Sequence, residues 1–158
     1  MSHMTPMVVR GRGSSWKFGL FGTLGFSLVT VVICLFVNAQ PDPLTYEFAH
    51  TNTLGAVVCS VWLVGALVIS YLAGGASGHL GSGVVAGVVM GGLSGPTYTL
   101  ITNILSPYWY ASPITYGPVP FLFSICGLGL ILSIFAMGVG ALVGLLGGAI
   151  GATISKNR

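Results

Sequence analysis

Hydrophobic positions along this chain run together in four long blocks, at about Trp16 to Val37, Leu54 to Ala73, Gly83 to Leu105 and Phe121 to Ile154. Each block can cross a hydrocarbon core of roughly 30 Å as a helix, and together they leave almost no chain for a soluble domain. The pattern predicts an all-α integral membrane protein, a four-transmembrane-helix bundle forming one domain over 16–154, with tails at 1–15 and 155–158. The last block, at about 1.5 Å per residue, is longer than a bilayer needs, so it either tilts or continues past the membrane.

Within the third block the pattern sharpens. Gly83, Gly87, Gly91 and Gly95 recur every fourth residue and line one helical face. Glycine costs a water-exposed helix about 1 kcal/mol relative to alanine, so such a row needs a reason, and in lipid the reason is close backbone approach. A second row, Gly140, Gly144, Gly148 and then Ala152, lies near the end of the chain, with Gly151 a further helix-packing candidate beside it. The third helix begins, and the fourth ends, on one side of the membrane, which puts both rows at the same depth and predicts a glycine zipper between these two helices. The stretches GVVAGVVMGGLSG and GALVGLLGGAIG also read alike, as an internal similarity would. Both rows can be used inside one chain, or one can serve a neighbouring subunit; a homo-oligomer or other membrane subunits are therefore the expected partners, beside the lipid bilayer. Gly19, Gly22 and Gly25 form a weaker three-residue row in the first helix.

Composition agrees with the pattern: 4% of the 158 residues are charged, 54% are hydrophobic, and the mean hydropathy is +0.95, against about 25% charged residues in a soluble domain. Arg10 and Arg12 precede the first block and Lys17 stands at its start, Lys156 and Arg158 follow the last, and no lysine or arginine lies between Lys17 and Lys156. The positive-inside rule then predicts both termini in the cytoplasm, N-in and C-in, in the cell membrane. The net charge of +3 sits in two tails and predicts no nucleic-acid partner. The opening MSHM reads as a cloning remnant before Met4 or Met7, which removes His3 from functional argument. The first block is longer than a usual signal-peptide core and Asn38-Ala39-Gln40 is a poor cleavage site, so it is read as a spanning helix.

Between the blocks, Pro41 and Pro43 flank Asp42 in a first outer loop, Gly74 to Ser82 reads as a short inner turn, and Ser106 to Pro120 reads as a stiff second outer loop. Tyr108, Trp109, Tyr110 and Tyr116 in that loop suit the outer membrane interface and form a candidate docking surface. Pro96 should kink the third helix. Beyond it, Thr97, Thr99, Thr102 and Asn103 are candidates either for lining a polar outer vestibule or for hydrogen bonding within the bundle.

Candidate chemistry is sparse. Cys34, Cys59 and Cys126 fall at similar depth and could in principle hold a metal or a disulfide, but there is no CxxC, no histidine in the blocks and no nearby carboxylate. His50 and His79 fall on opposite sides of the membrane and cannot share one ligand. Asp42 and Glu47, the only acids, lie outside the blocks, which argues against a proton- or cation-driven transporter. No nucleophile–base pair and no phosphate-cradling loop is visible, so no catalytic residue, metal or cofactor is expected.

The segment YLAGGASGHLGSGVVAGVVMGGLSG, Tyr71 to Gly95, resembles the helix, glycine turn and glycine-rich helix of small uncharacterised multi-span membrane proteins of archaea. That family has no assigned activity, so the resemblance implies a fold and lends no functional residue; the proline- and aromatic-rich outer loops have no counterpart in it. The functional expectation is a non-catalytic structural or accessory subunit that assembles through glycine-faced helices. The alternatives are a homo-oligomeric passive channel, including a holin-like pore, and a membrane or envelope scaffold.

Overall fold

The computed structural model describes residues 14–38, 55–105 and 118–157. These form α1 (Ser15–Asn38), α2 (Gly55–Ser77), α3 (Leu80–Leu105), α4 (Pro118–Phe123), a π-helical turn (Ser124–Leu128) and α5 (Gly129–Lys156). The chain is helical without a break from α4 through the π turn into α5. Four segments are long and apolar enough to cross a membrane: Ser15–Phe36, Gly55–Ser77, Leu80–Leu105 and Ile125–Lys156.

Two boundaries differ from the pattern in the sequence, each for a physical reason. Gly74-Gly75 looks like the end of the second helix, yet α2 continues through both to Ser77. These glycines are packing positions: a Cβ on Gly74 would lie 2.7 Å from the Gly148 Cα. The stop is supplied by Gly78, whose φ of 69° is the left-handed conformation that glycine adopts without a steric penalty. Its N–H donates to the Gly74 carbonyl at 2.8 Å, closing an αL cap. The Ser77 hydroxyl donates to the Ala73 carbonyl at 2.8 Å and accepts from the His79 N–H at 3.2 Å. The connection to α3 is thereby reduced to Gly78 and His79. The second difference is the π turn, which nothing in the apolar run signals; α3, by contrast, continues through Pro96 as one helix.

Helix directions follow from which residues meet. Gly19 of α1 faces Ala86 and Val89 of α3, and Gly22 faces Met90, so α1 and α3 run parallel. Gly147 faces Leu67 and Ser70 of α2 while Gly151 faces Tyr71 and Gly75, so α2 and α5 are parallel. Gly83 meets Gly144 and Gly148 whereas Gly91 meets Ala136, so α3 is antiparallel to α5. The start of α1 and the end of α5 therefore lie at the same end of the bundle.

The interior is built from small and hydroxyl-bearing residues. Ala66, Ala73, Ala86, Thr30, Thr99, Thr102 and Ser70 are buried, while Phe21, Leu24, Leu28 and Phe36 of α1 and Ile134, Phe135, Leu142 and Leu146 of α5 are exposed. One apolar cluster, Phe26, Val58, Trp62, Ala66 and Met90, fills the space between α1, α2 and α3. Large apolar side chains outside and small ones inside would be unstable in water. In lipid the arrangement is favourable, because tails solvate the outer face and backbone proximity holds the helices together. These four apolar, lipid-compatible helices make the chain a membrane protein.

Candidate functional site: a glycine seam and a polar junction at Pro96

The most extensive helix contact joins α3 to α5, and its register is set by glycine. A Cβ placed on Gly87 would fall on the Gly140 carbonyl oxygen, and one placed on Gly140 would fall on the Gly87 carbonyl oxygen. One turn toward the chain termini, a Cβ on Gly83 would lie 2.7 Å from the Gly144 oxygen, and one on Gly144 2.7 Å from the Gly83 oxygen. Continuing the other way, Gly91 meets the Ala136 carbonyl, and a Cβ on Gly95 would lie 2.7 Å from the Ser133 nitrogen. Each glycine thus points a Cα hydrogen at a carbonyl of the opposite helix, a geometry that adds weak Cα–H···O attraction to dispersion.

The last helix carries two glycine faces, because residue 147 lies about 60° around the helix from 144, and 151 about 60° from 148. Gly140, Gly144 and Gly148 face α3, while Gly147 and Gly151 face α2; a Cβ on Gly147 would lie 2.8 Å from the Leu67 carbonyl oxygen. Gly151, a helix-packing candidate in the sequence, belongs to the α2 contact. Gly148 touches both neighbours, since Gly74 of α2 also meets it. Ser70 sits at this three-helix junction, fully buried, and its Oγ has no hydrogen-bond partner among the described residues; the same holds for the buried Trp62 Nε1.

Pro96 marks the second feature. A proline has no N–H, so the carbonyl four residues earlier, that of Gly92, loses its helical donor. The hydroxyl of Ser133 on α5 reaches it at 2.8 Å. The same hydroxyl lies 2.8 Å from the Gly129 carbonyl of its own helix, so one proton is shared between two acceptors. Next to it, the Thr97 hydroxyl donates to the Leu93 carbonyl at 2.7 Å and the Ser94 hydroxyl to the Gly91 carbonyl at 2.9 Å. Thr99 donates to the Gly95 or Pro96 carbonyl at 3.1 and 3.0 Å, Thr102 to the Tyr98 carbonyl at 2.9 Å, and the Asn103 Nδ2 to the Thr99 carbonyl at 2.7 Å.

Thr99, Thr102 and Asn103 are buried and Thr97 is half-buried. In this conformation the first three line no open vestibule, and the hydroxyl protons of all three threonines go to carbonyls of α3 itself. The π turn packs against α3 here, and a Cβ on Gly129, just after it, would lie 3.0 Å from the Thr99 Oγ1.

Neither a family model, nor a curated protein, nor a solved structure matches this chain. The chemistry must be read from its own residues. Cys34 is buried whereas Cys59 and Cys126 are exposed. Among the described residues no group of three or more histidine, cysteine or acidic side chains is placed to hold a metal. His79 is exposed in the α2–α3 connection, its ring Nδ1 2.7 Å from the Ser77 carbonyl. The outer-loop residues Tyr108, Trp109, Tyr110 and Tyr116, and likewise Asp42, Glu47 and His50, lie outside the described residues.

Sequence reasoning missed Gly147, Ser133, Ser70 and the π turn. Gly147 had a visible signal, since Gly147 and Gly151 are themselves four residues apart. Ser133 had one as well: it stands seven residues before Gly140, on the same helical face, in an otherwise apolar run.

Proposed function

We propose that this protein is a non-catalytic structural or accessory subunit of a membrane assembly, with both termini on the cytoplasmic side and a glycine zipper between α3 and α5 as its rigid centre. The observation that carries the reading is the reciprocal seating of Gly87 and Gly140, each backbone occupying the space a side chain would need on the other. Binding energy in this chain goes into fixing helix positions, and its buried polar side chains mostly donate to nearby backbone carbonyls. Both glycine rows are taken up within one chain. A second copy or a different membrane subunit would therefore meet the apolar outward faces of α1 and α5, where Gly25 and Gly138 have open space beside them.

The first test is the mass of the protein extracted in mild detergent from its native membrane, with co-purifying chains identified. Stoichiometric foreign subunits, or a homogeneous homo-oligomer without transport activity, support the reading. The second reading, a homo-oligomeric passive pore, draws on the buried polar face Thr99, Thr102 and Asn103. Solute flux into liposomes holding purified protein, above that of empty vesicles, would favour it over the first. Gly87→Leu is expected to abolish assembly or accumulation in the membrane in either case, and normal assembly of that variant refutes the zipper.

A further inference from the structure

Two backbone irregularities, Pro96 in α3 and the π turn Ser124–Leu128, lie beside one another in the bundle. α3 contacts the π turn, and Gly129, the residue that follows it, packs on Pro96, its Cβ position 3.2 Å from the Pro96 Cα. A proline leaves a carbonyl without its donor, and a π turn loosens the hydrogen-bond ladder over one turn; these are the places where a helix bends. Side by side, they let two adjacent helices bend at one level. Below this level the glycine seam from Gly95 to Gly83 locks α3 to α5 by backbone contact. Above it no glycine of α3 remains, and the buried face changes to Thr99, Thr102 and Asn103.

A side-chain bond crosses between the helices at the hinge. The Ser133 hydroxyl stands 2.8 Å from the Gly92 carbonyl and 2.8 Å from the Gly129 carbonyl. Gly92 lacks its helical donor because of Pro96, whereas Ser133 can donate to Gly129 without help from α3. The single proton therefore has two resting places of similar geometry, one that ties α3 to α5 and one that does not.

We infer that Pro96 and the π turn form a paired hinge, with the Ser133 hydroxyl as its latch. When the proton moves from the Gly92 to the Gly129 carbonyl, the ends of α3 and the α4–π-turn segment beyond the hinge part. Parting brings water to Thr102 and its polar neighbours, and the exposed Gly92 carbonyl takes a water molecule in place of the hydroxyl. The inference does not rest on the assembly reading: a bundle that never opens at this point can still be a structural subunit.

The test measures water access at Thr102 in proteoliposomes. Cys34, Cys59 and Cys126 are replaced by alanine, Thr102→Cys is introduced, and its reaction with a small water-soluble methanethiosulfonate is timed. Ser133→Ala is expected to raise the labelling rate about three- to tenfold, the range set by interhelical hydrogen bonds in membranes. The decisive comparison is Pro96→Ala, which returns an N–H to the Gly92 carbonyl. In that background Ser133→Ala should change the rate less than about twofold. Equal rates for Ser133 and Ser133→Ala in the Pro96 protein overturn the latch, as does the same increase with and without Pro96→Ala. If Ser133→Ala alone fails to accumulate, rescue by Pro96→Ala supports the pairing, and equal loss of the double variant refutes it.

Discussion

Gly87→Ala probes the seam most directly. The added methyl would fall on the Gly140 carbonyl oxygen, with the Gly140 carbonyl carbon at 2.9 Å and Ser70 Oγ at 3.3 Å. Two of these three neighbours are backbone, which cannot rotate away, so α3 and α5 must separate by about 1 Å, a gap that forfeits roughly half of the dispersion attraction across it. Overpacking of this kind costs about 1–3 kcal/mol. Gly138→Ala on α5 is the matched control, since it has open space and only gains the helix preference of alanine, up to about 1 kcal/mol. Gly87→Ala gains the same preference, so the two single variants should differ by the overpacking cost, about 1–3 kcal/mol, in unfolding by a denaturing detergent titrated into mild micelles, followed by circular dichroism. Combining Gly87→Ala with Gly140→Ala should cost less than the sum, because helices already parted for one methyl have room for the other. If Gly87→Ala matches Gly138→Ala within about 0.5 kcal/mol, the close approach of these backbones is not what holds the bundle.

Three further outcomes are expected. Ser70→Ala should leave stability unchanged or raise it by about 1 kcal/mol, because the hydroxyl it removes is buried without a partner among the described residues; a loss larger than that in the same titration would mean the hydroxyl is bonded. Gly78→Ala should destabilise by about 1–2 kcal/mol and Gly78→Asn by less, since the position has open space and only its left-handed backbone resists a side chain; equal stability of all three proteins would count against the cap. In mild detergent, N-ethylmaleimide should modify Cys59 and Cys126 and spare Cys34, which is 1% exposed, as read by peptide mass spectrometry. Labelling of Cys34 as fast as the others would show that α1 is not seated as described.

How much could be read from the residues depended on whether a signal was local. The glycine rows were legible because a four-residue repeat names a helical face without reference to anything else, and the structure seats Gly83, Gly87, Gly91 and Gly95 on α5. The division of α5 was not legible in the same way. Gly148 and Gly151 both read as packing positions in the sequence, but which neighbour each faces depends on where α2 lies. Gly74-Gly75 misled for a similar reason: paired glycines signal a turn when nothing packs on them, and these meet Gly148 and Gly151.

What the sequence determined by itself is the kind of solvent and the kind of contact. Four apolar runs without internal charge can be satisfied only in lipid, and lipid removes the hydrophobic drive between helices, so small residues must make the interfaces. What only the tertiary structure decided is which polar group answers which. That Ser133 serves the carbonyl orphaned by Pro96 depends on two residues 41 positions apart being brought to one level, and that Ser70 and Trp62 find no partner among the described residues depends on the same packing. Helical periodicity fixes a residue's direction from its own axis, and helix packing alone fixes what stands in that direction.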